Sequence, residues 1–501
     1  MELSEAIAKL KEGNRLMHAY DHAMGVMYYD IETHAPKKAI KGFSETVGTL
    51  SEITYKLAVN EERFALLDLL TEHAAELDEI TRREVEEAQK EMKLMRSISV
   101  EEYVEYRQLV SEATSVWHDA KVKSDYEMFK PYLARLVEAS KKLAKAADPE
   151  KDPYDFWLNE HEEGFTQDVL DVYFRKIKDE LIPFIRRISE LPKPDDSFIY
   201  KKYPIWQQRE FSDEVMSIMG IDPENCTLSE TEHPFTTGFN KLDSRITTHY
   251  HEDFLTANMY SVIHEGGHAT YEMNVGDDLW NSPLASGASS GVHESQSRFY
   301  ENIIGRSMAF VKVILPRMKA RWPEQLAGVT EEDFFRAVNK AEPSLIRTEA
   351  DELTYSLHVL IRYEMEKKLF RGEISFDEVP AEWNRLYKEY LGVDVPCDKE
   401  GCLQDTHWAG GMFGYFPSYS LGSAYGAQIL ASMRKEMDID KLVEEGRIKE
   451  IIAWLTERIY KYGRVKKPQE LLKICCGKEF DPDYYIDYLK TKFSKVYGIE
   501  G

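Results

Sequence analysis

Residues 260–275 read YSVIHEGGHATYEMNV, and the four-residue step between His264 and His268 sets the fold expected around them. Side chains four apart on an α-helix lie one turn above each other, so two imidazoles at that step can grip one ion. Glu265, one position on, then sits beside the ion, where water activation needs a general base. The pattern predicts a helix from Ala257 to Met273. Gly266 and Gly267 stand inside it. Each costs about 1 kcal/mol relative to Ala, which predicts that another element or the substrate packs closely there.

Outward from this segment the chain is helical in both directions. Val85, Ala88, Met92 and Met95 recur at helical steps in TRREVEEAQKEMKLM, and Ser99 with Glu102 forms a capping box at the head of SVEEYVEYRQLV. The pattern returns after Thr330 in TEEDFFRAVNKAE and again in ILASMRKEMDIDKLVEEGRIKEIIAWLTERIYKYG. The clearest strand signal is Arg245 to Thr248, rich in β-branched residues and following the loop HPFTTGFNKLDS, so a small sheet at most is expected. A length of 501 residues exceeds most single cores, yet no fixed-period repeat and no Gly/Ser or Pro linker divides the chain. These signals predict a mainly α fold, one helical body over 1–501 with a cleft.

Hydrophobic residues at 43% and charged ones at 31% supply a large core, and no run of some 18 apolar residues offers a membrane span. The net charge of −25 excludes nucleic acid and anionic membrane as main partners, because phosphate binding relies on clustered Lys and Arg. Cys226, Cys397, Cys402, Cys475 and Cys476 make an odd set without C-x-x-C pairing. The opening MELSEAIAKLKEGNRL lacks a continuous apolar stretch. A reducing, cytoplasmic setting is expected.

A catalytic site of this kind needs a third protein ligand and an open coordination position. Glu272 lies two turns from His264, about 12 Å along the axis against metal bonds of about 2 Å, so a straight helix cannot bring it to the ion. It is expected as an outer partner or as helix surface. The better candidates lie in SGVHESQSRFYENIIG, after the loop PLASGASSG, where Glu294 begins a second helix and His293 is its rival. Spacing alone does not separate the two, and the H-E-x-x-H plus distant Glu pattern favours Glu294. Arg298 either orients a metal-site carboxylate or pairs along its own helix.

With these segments in hand the chain resembles the carboxypeptidase Taq family over nearly its full length. The motifs that carry the resemblance are HPF at 233–235, DSRIT at 243–247, HEGGH at 264–268, HESQSR at 293–298, IRTEAD at 346–351, GCLQDTHW at 401–408 and GYFPSY at 414–419. The resemblance implies Glu294 as third ligand, a deep groove between two helical halves and a homodimer. More distantly the chain is similar to angiotensin-converting enzyme and thimet oligopeptidase. One departure is Tyr29 before Asp30 in MYYDIETHAP, where the family favours Trp.

The expected chemistry is peptide hydrolysis from a free C-terminus, with one divalent ion per chain. Zinc is the first expectation, although cobalt or manganese can use the same ligands. Glu265 is the expected base, and the resemblance supplies Tyr419 and His407 as donors to the oxyanion. Arg347 of IRTEAD is the expected reader of the terminal carboxylate, since guanidinium can form two parallel hydrogen bonds; the plain alternative is an ion pair with Glu349 or Asp351. His233 with Asp243 and Arg245 of DSRIT is expected to hold the substrate backbone along an exposed strand edge. The rivals are an endo-acting oligopeptidase that lacks the carboxylate clamp and an inactive helical peptide-binding scaffold.

Overall fold

A computed structural model describes residues 1–499. The fold is mainly α with one three-stranded sheet. The helical periods of the sequence become packed faces: the helix Glu79–Ser97 buries Val85, Ala88 and Met92, and Ser99 and Glu102 close the capping box on Val100–Lys123. Thr330 and Asp333 form a second box on Glu331–Val338. The stretch from Ile429 onward is broken rather than continuous. Helices Pro417–Met433, Ile439–Glu444 and Ile448–Arg458 follow one another, with Asp438 capping the second and Gly446 at φ 68° separating the last two.

Two apolar cores account for most of the packing. The larger runs from Leu109 to Tyr497 and includes the sheet and the central helices. A smaller one gathers Leu10, Leu67, Leu70, Val85 and Met92 from the N-terminal helices. Among the described residues no helix is long and apolar enough to cross a membrane.

The sheet corrects one expectation. Strands β1 (Cys226–Glu230), β2 (Thr236–Asn240) and β3 (Asp243–Thr248) run in the order β1-β3-β2, with β1 parallel and β2 antiparallel to β3. The DSRIT segment is therefore the central strand, paired on both sides, and has no free edge to offer a peptide. The free edge next to the histidine helix belongs to β2.

That helix spans Leu255–Met273 and crosses the helix Ser290–Arg298, which continues as a π-helix over Phe299–Ile304. Gly267 makes the crossing possible, and Gly266 opens the helix to a second close neighbour. A Cβ at Gly267 would stand 2.7 Å from Ser297 Cα and 2.8 Å from the Gln296 carbonyl oxygen, and one at Gly266 would stand 2.5 Å from Ile221 Cδ1. The third member of the stack is the helix 417–433, where a Cβ at Gly422 would meet Glu294 Cγ at 2.6 Å.

Candidate metal centre and substrate groove

His264 and His268 face the groove from the helix 255–273, and Glu294 reaches them from the helix 290–298. One ligand atom from each lies within 4.8 Å of the others. Glu294 Oε2 stands 3.7 Å from His264 Nε2 and 3.5 Å from His268 Nε2. Two imidazole nitrogens and one carboxylate oxygen are the donor set of a catalytic divalent site with an open position, so the residues fit the ion that the motif implies.

The outer partners fix the rings. His264 Nδ1 is 2.9 Å from Glu301 Oε2. His268 Nδ1 is 2.6 Å from His293 Nδ1, and His293 Nε2 is 2.7 Å from Glu272 Oε1. With both its nitrogens engaged, His293 buttresses His268 and stands outside the ligand set. Glu272, also held by Ser286 and the Gly287 amide, is the end of that relay. In this arrangement a proton on His268 Nδ1 leaves Nε2 as the lone-pair donor.

Charge is distributed to match. Burial opposes ionisation of Glu294, yet Arg298, His264 and His268 hold its carboxyl well below the usual range. Burial likewise opposes Glu301, which His264, Arg298 and Arg306 keep ionised. Arg298 does both things expected of it: Nε donates to Glu294 Oε1 at 2.8 Å, and Nη1 lies 3.4 Å from Glu301 Oε2. Burial alone would lower His264, but Glu294 and Glu301 outweigh it and raise the imidazole.

Glu265 is buried beside the pair, and the hydroxyl of Thr236 at the start of β2 donates to its Oε2 at 2.6 Å. Sequence reasoning missed Thr236, Glu301 and Tyr355. Glu301 follows Glu294 by seven positions, two helical turns, which is a readable signal; the others carry none.

The groove is a cavity of about 1600 Å³, and Glu265, His264, His268, Glu294, Arg347 and Tyr419 all line it. The β2 residues Thr236, Thr237 and Gly238 form one margin. His407 is not in the wall and meets it through Tyr419, whose hydroxyl lies 3.2 Å from Nε2. Burial pushes His407 down to about 4, so its ring is neutral, and burial pushes the Tyr419 phenol far up, so it keeps its proton.

Arg347 finds neither Glu349 nor Asp351. Its Nε and Nη2 donate to Asp405 Oδ1 at 3.0 and 2.8 Å, and Nη1 donates to the Tyr355 hydroxyl at 3.0 Å. Arg362 shares the same carboxylate through Oδ2. Behind this pair, buried Glu366 accepts from Tyr154, Trp408 Nε1 and the Gly414 amide, tying GCLQDTHW to GYFPSY. Burial pushes Glu366 up to about 7.

His233, Asp243 and Arg245 are not brought into the groove. His233 is exposed and contributes its carbonyl to Thr231. Arg245 pairs with Asp243 through two bonds of 2.9 Å and lies over the rings of Tyr29 and Phe239. This pair borders a separate cavity of about 500 Å³ with Asp30 and His34. β3 alternates its side chains between two faces, and these two point to the face away from the histidine helix.

A His–His–Glu constellation on crossing helices, set along a long groove in a mainly α body, defines a helical metallopeptidase. The chain belongs to the carboxypeptidase Taq (M32) metallopeptidase family, whose profile matches residues 9–493. It is 42% identical over 486 residues to Carboxypeptidase 1 of Bacillus subtilis (strain 168), covering 96% of this chain and 97% of that protein. The crystal structure of the M32 carboxypeptidase from Deinococcus radiodurans R1, 31% identical, superposes with a TM-score of 0.95 over 99% of this chain and 100% of that one. Pyrococcus furiosus carboxypeptidase in its Apo-Mg structure, 33% identical, gives 0.93 over 98% and 99%.

Proposed function

We propose that this metal-dependent carboxypeptidase removes single residues from peptides with a free C-terminus, using one zinc ion held by His264, His268 and Glu294. The observation that carries the exopeptidase reading is Arg347: buried in the groove wall, it spends three of its N–H donors on Asp405 and Tyr355. A guanidinium has five. Two are left for a substrate carboxylate, and the paired Asp405 supports the orientation of the fork.

A divalent ion in this site supplies Lewis acidity. Glu265, steadied by Thr236, takes the proton of the attacking water and returns it to the leaving amine. Tyr419 donates to the developing oxyanion, and neutral His407 orients its hydroxyl. The substrate backbone adds to the free edge of β2. His233, Asp243 and Arg245 act on it only through the sheet that they brace. A homodimer rests on the family resemblance, and a reducing, cytoplasmic location on five cysteines that stand without disulfide partners.

Digestion of one defined peptide, followed by mass analysis with and without a chelator, tests the reading. A ladder of single-residue losses that chelation abolishes is expected. Early internal fragments would favour an oligopeptidase, and undiminished hydrolysis by exhaustively demetallated protein would end the metal mechanism.

A further inference from the structure

The helix Pro153–His161 ends against the back of the metal centre, and the residue that follows it has no place in the chemistry above. Glu162 is 2% exposed. Its Oε1 accepts from the Ser289 hydroxyl at 2.9 Å and from the Tyr425 hydroxyl at 3.0 Å, and its Oε2 accepts from the Gly291 amide at 2.9 Å. Ser289 is the N-cap of the helix 290–298, Gly291 is in its first turn, and Glu294 lies one turn further on. Tyr425 belongs to the helix 417–433, whose first turn presents Tyr419 to the groove and whose Gly422 packs directly on Glu294. One carboxylate therefore joins both helices beside the point where they cross.

Among the described residues no Lys or Arg forms an ion pair with it, and burial pushes Glu162 up to about 7 against the pull of its three donors and of the more distant Lys90. A buried carboxylate without a cation is costly, and an apolar residue would fill the same space at less expense. The fit is close, since a Cβ at Gly291 would come within 2.6 Å of Oε2. The acceptor is thus matched to a backbone amide that no side chain crowds, at the end of a helix where negative charge is favoured.

We propose that Glu162 is a positioning residue of the metal site: it sets the axial position of the helix 290–298 against the helix 417–433, and so places the Glu294 carboxylate relative to His264 and His268. The proposal rests on Glu294 being a metal ligand, which Glu294→Ala tests separately.

Zinc affinity, by competition with a chelator, and the visible absorption of the cobalt-loaded protein, which reports ligand geometry, are measured with circular dichroism as a check on folding. Glu162→Ala is expected to keep its helix content, to lose up to roughly 10-fold in zinc affinity, the low end of what direct outer partners of metal ligands contribute, and to shift the cobalt bands. Glu162→Gln should recover most of the affinity, because its amide oxygen still accepts from Gly291 and both hydroxyls can turn to accept from its NH2. Tyr425→Phe removes a donor without touching the carboxylate, and should weaken zinc about threefold and shift the same bands. If Glu162→Ala binds zinc natively with an unchanged cobalt spectrum and loses only thermal stability, the proposal is overturned. Should Glu162→Ala not fold, Tyr425→Phe decides, and native affinity with native bands in it overturns the proposal equally. Native zinc affinity in Glu294→Ala would instead remove the ligand assignment itself.

Discussion

On the floor of the groove Glu265, Glu272, Glu294 and Glu301 face Arg298 and Arg306, four carboxylates against two guanidiniums; on the wall Arg347 and Arg362 share the single carboxylate of Asp405. With neutral histidines the floor is left two charges negative and the wall one positive. Both networks are largely buried, where unbalanced charge is expensive. The floor is complementary to a divalent cation and the wall to one carboxylate. On the proposed function, activating water and recognising a chain end fall to two oppositely charged networks of one cavity.

The largest effect is expected from breaking the chemistry of the floor without breaking its shape. Glu265→Gln keeps the hydrogen bond from Thr236 but cannot take a proton, so kcat should fall at least about 100-fold while metal content, measured by elemental analysis, stays native. A near-native kcat would remove Glu265 as the base.

The wall is tested next, by charge. Amidating the peptide C-terminus deletes the anion and a charge-assisted bond of about 1.5 to 3 kcal/mol, so native enzyme should lose roughly 10- to 150-fold in kcat/KM. Arg347→Ala should process both peptides poorly and distinguish them little. If it still discriminates fully, the carboxylate is read elsewhere, and Arg362, wholly buried on the same Asp405, is the next residue to change.

A smaller effect is expected within the floor. Glu301 touches His264 directly and also pairs with Arg298 and Arg306, whereas Glu272 reaches His268 only through His293. Both Gln variants should weaken zinc within the roughly 10- to 100-fold range of outer partners, with Glu301→Gln the weaker binder. The reverse order in a chelator competition would mean that the relay matters more than the direct contact.

The smallest effect is in stability against pH. Burial opposes ionisation of Asp405, but Arg362 and Arg347 hold it far below its ordinary 3.8. Its contribution is present above that value and is lost in acid. Glu366 is the opposite case: raised from 4.5 to about 7, it contributes below its ordinary value and loses that contribution as pH rises through 7. At most about 1.4 kcal/mol per pH unit is at stake. Melting temperatures from pH 5 to 8 should therefore fall more steeply in native protein than in Glu366→Gln, and parallel curves would contradict the assignment.

Much of the floor was legible because its signals are local. His264 and His268 stand one helical turn apart, and His293 and Glu294 are consecutive on a helix, so their side chains point about 100° apart and only one can ligate. The wall was legible only as motifs. Arg347 finds its partner 58 positions away, and no local pattern distinguishes Asp405 from the nearer Glu349 and Asp351. The same limit applies to the sheet: the residues of DSRIT read as a strand, but pairing order comes from tertiary packing, which moved the free edge to β2 and took Asp243 and Arg245 out of the groove.

The negative floor is proposed to hold one divalent ion through the side chains of His264, His268 and Glu294. Calorimetric titration of demetallated protein with zinc, in the native chain and in Glu294→Gln, tests it most directly. One ion per native chain is expected, and a loss of about 100-fold or more in affinity when the carboxylate becomes an amide, since an outer partner alone is already worth about 10- to 100-fold. Unchanged affinity and stoichiometry in Glu294→Gln would contradict it.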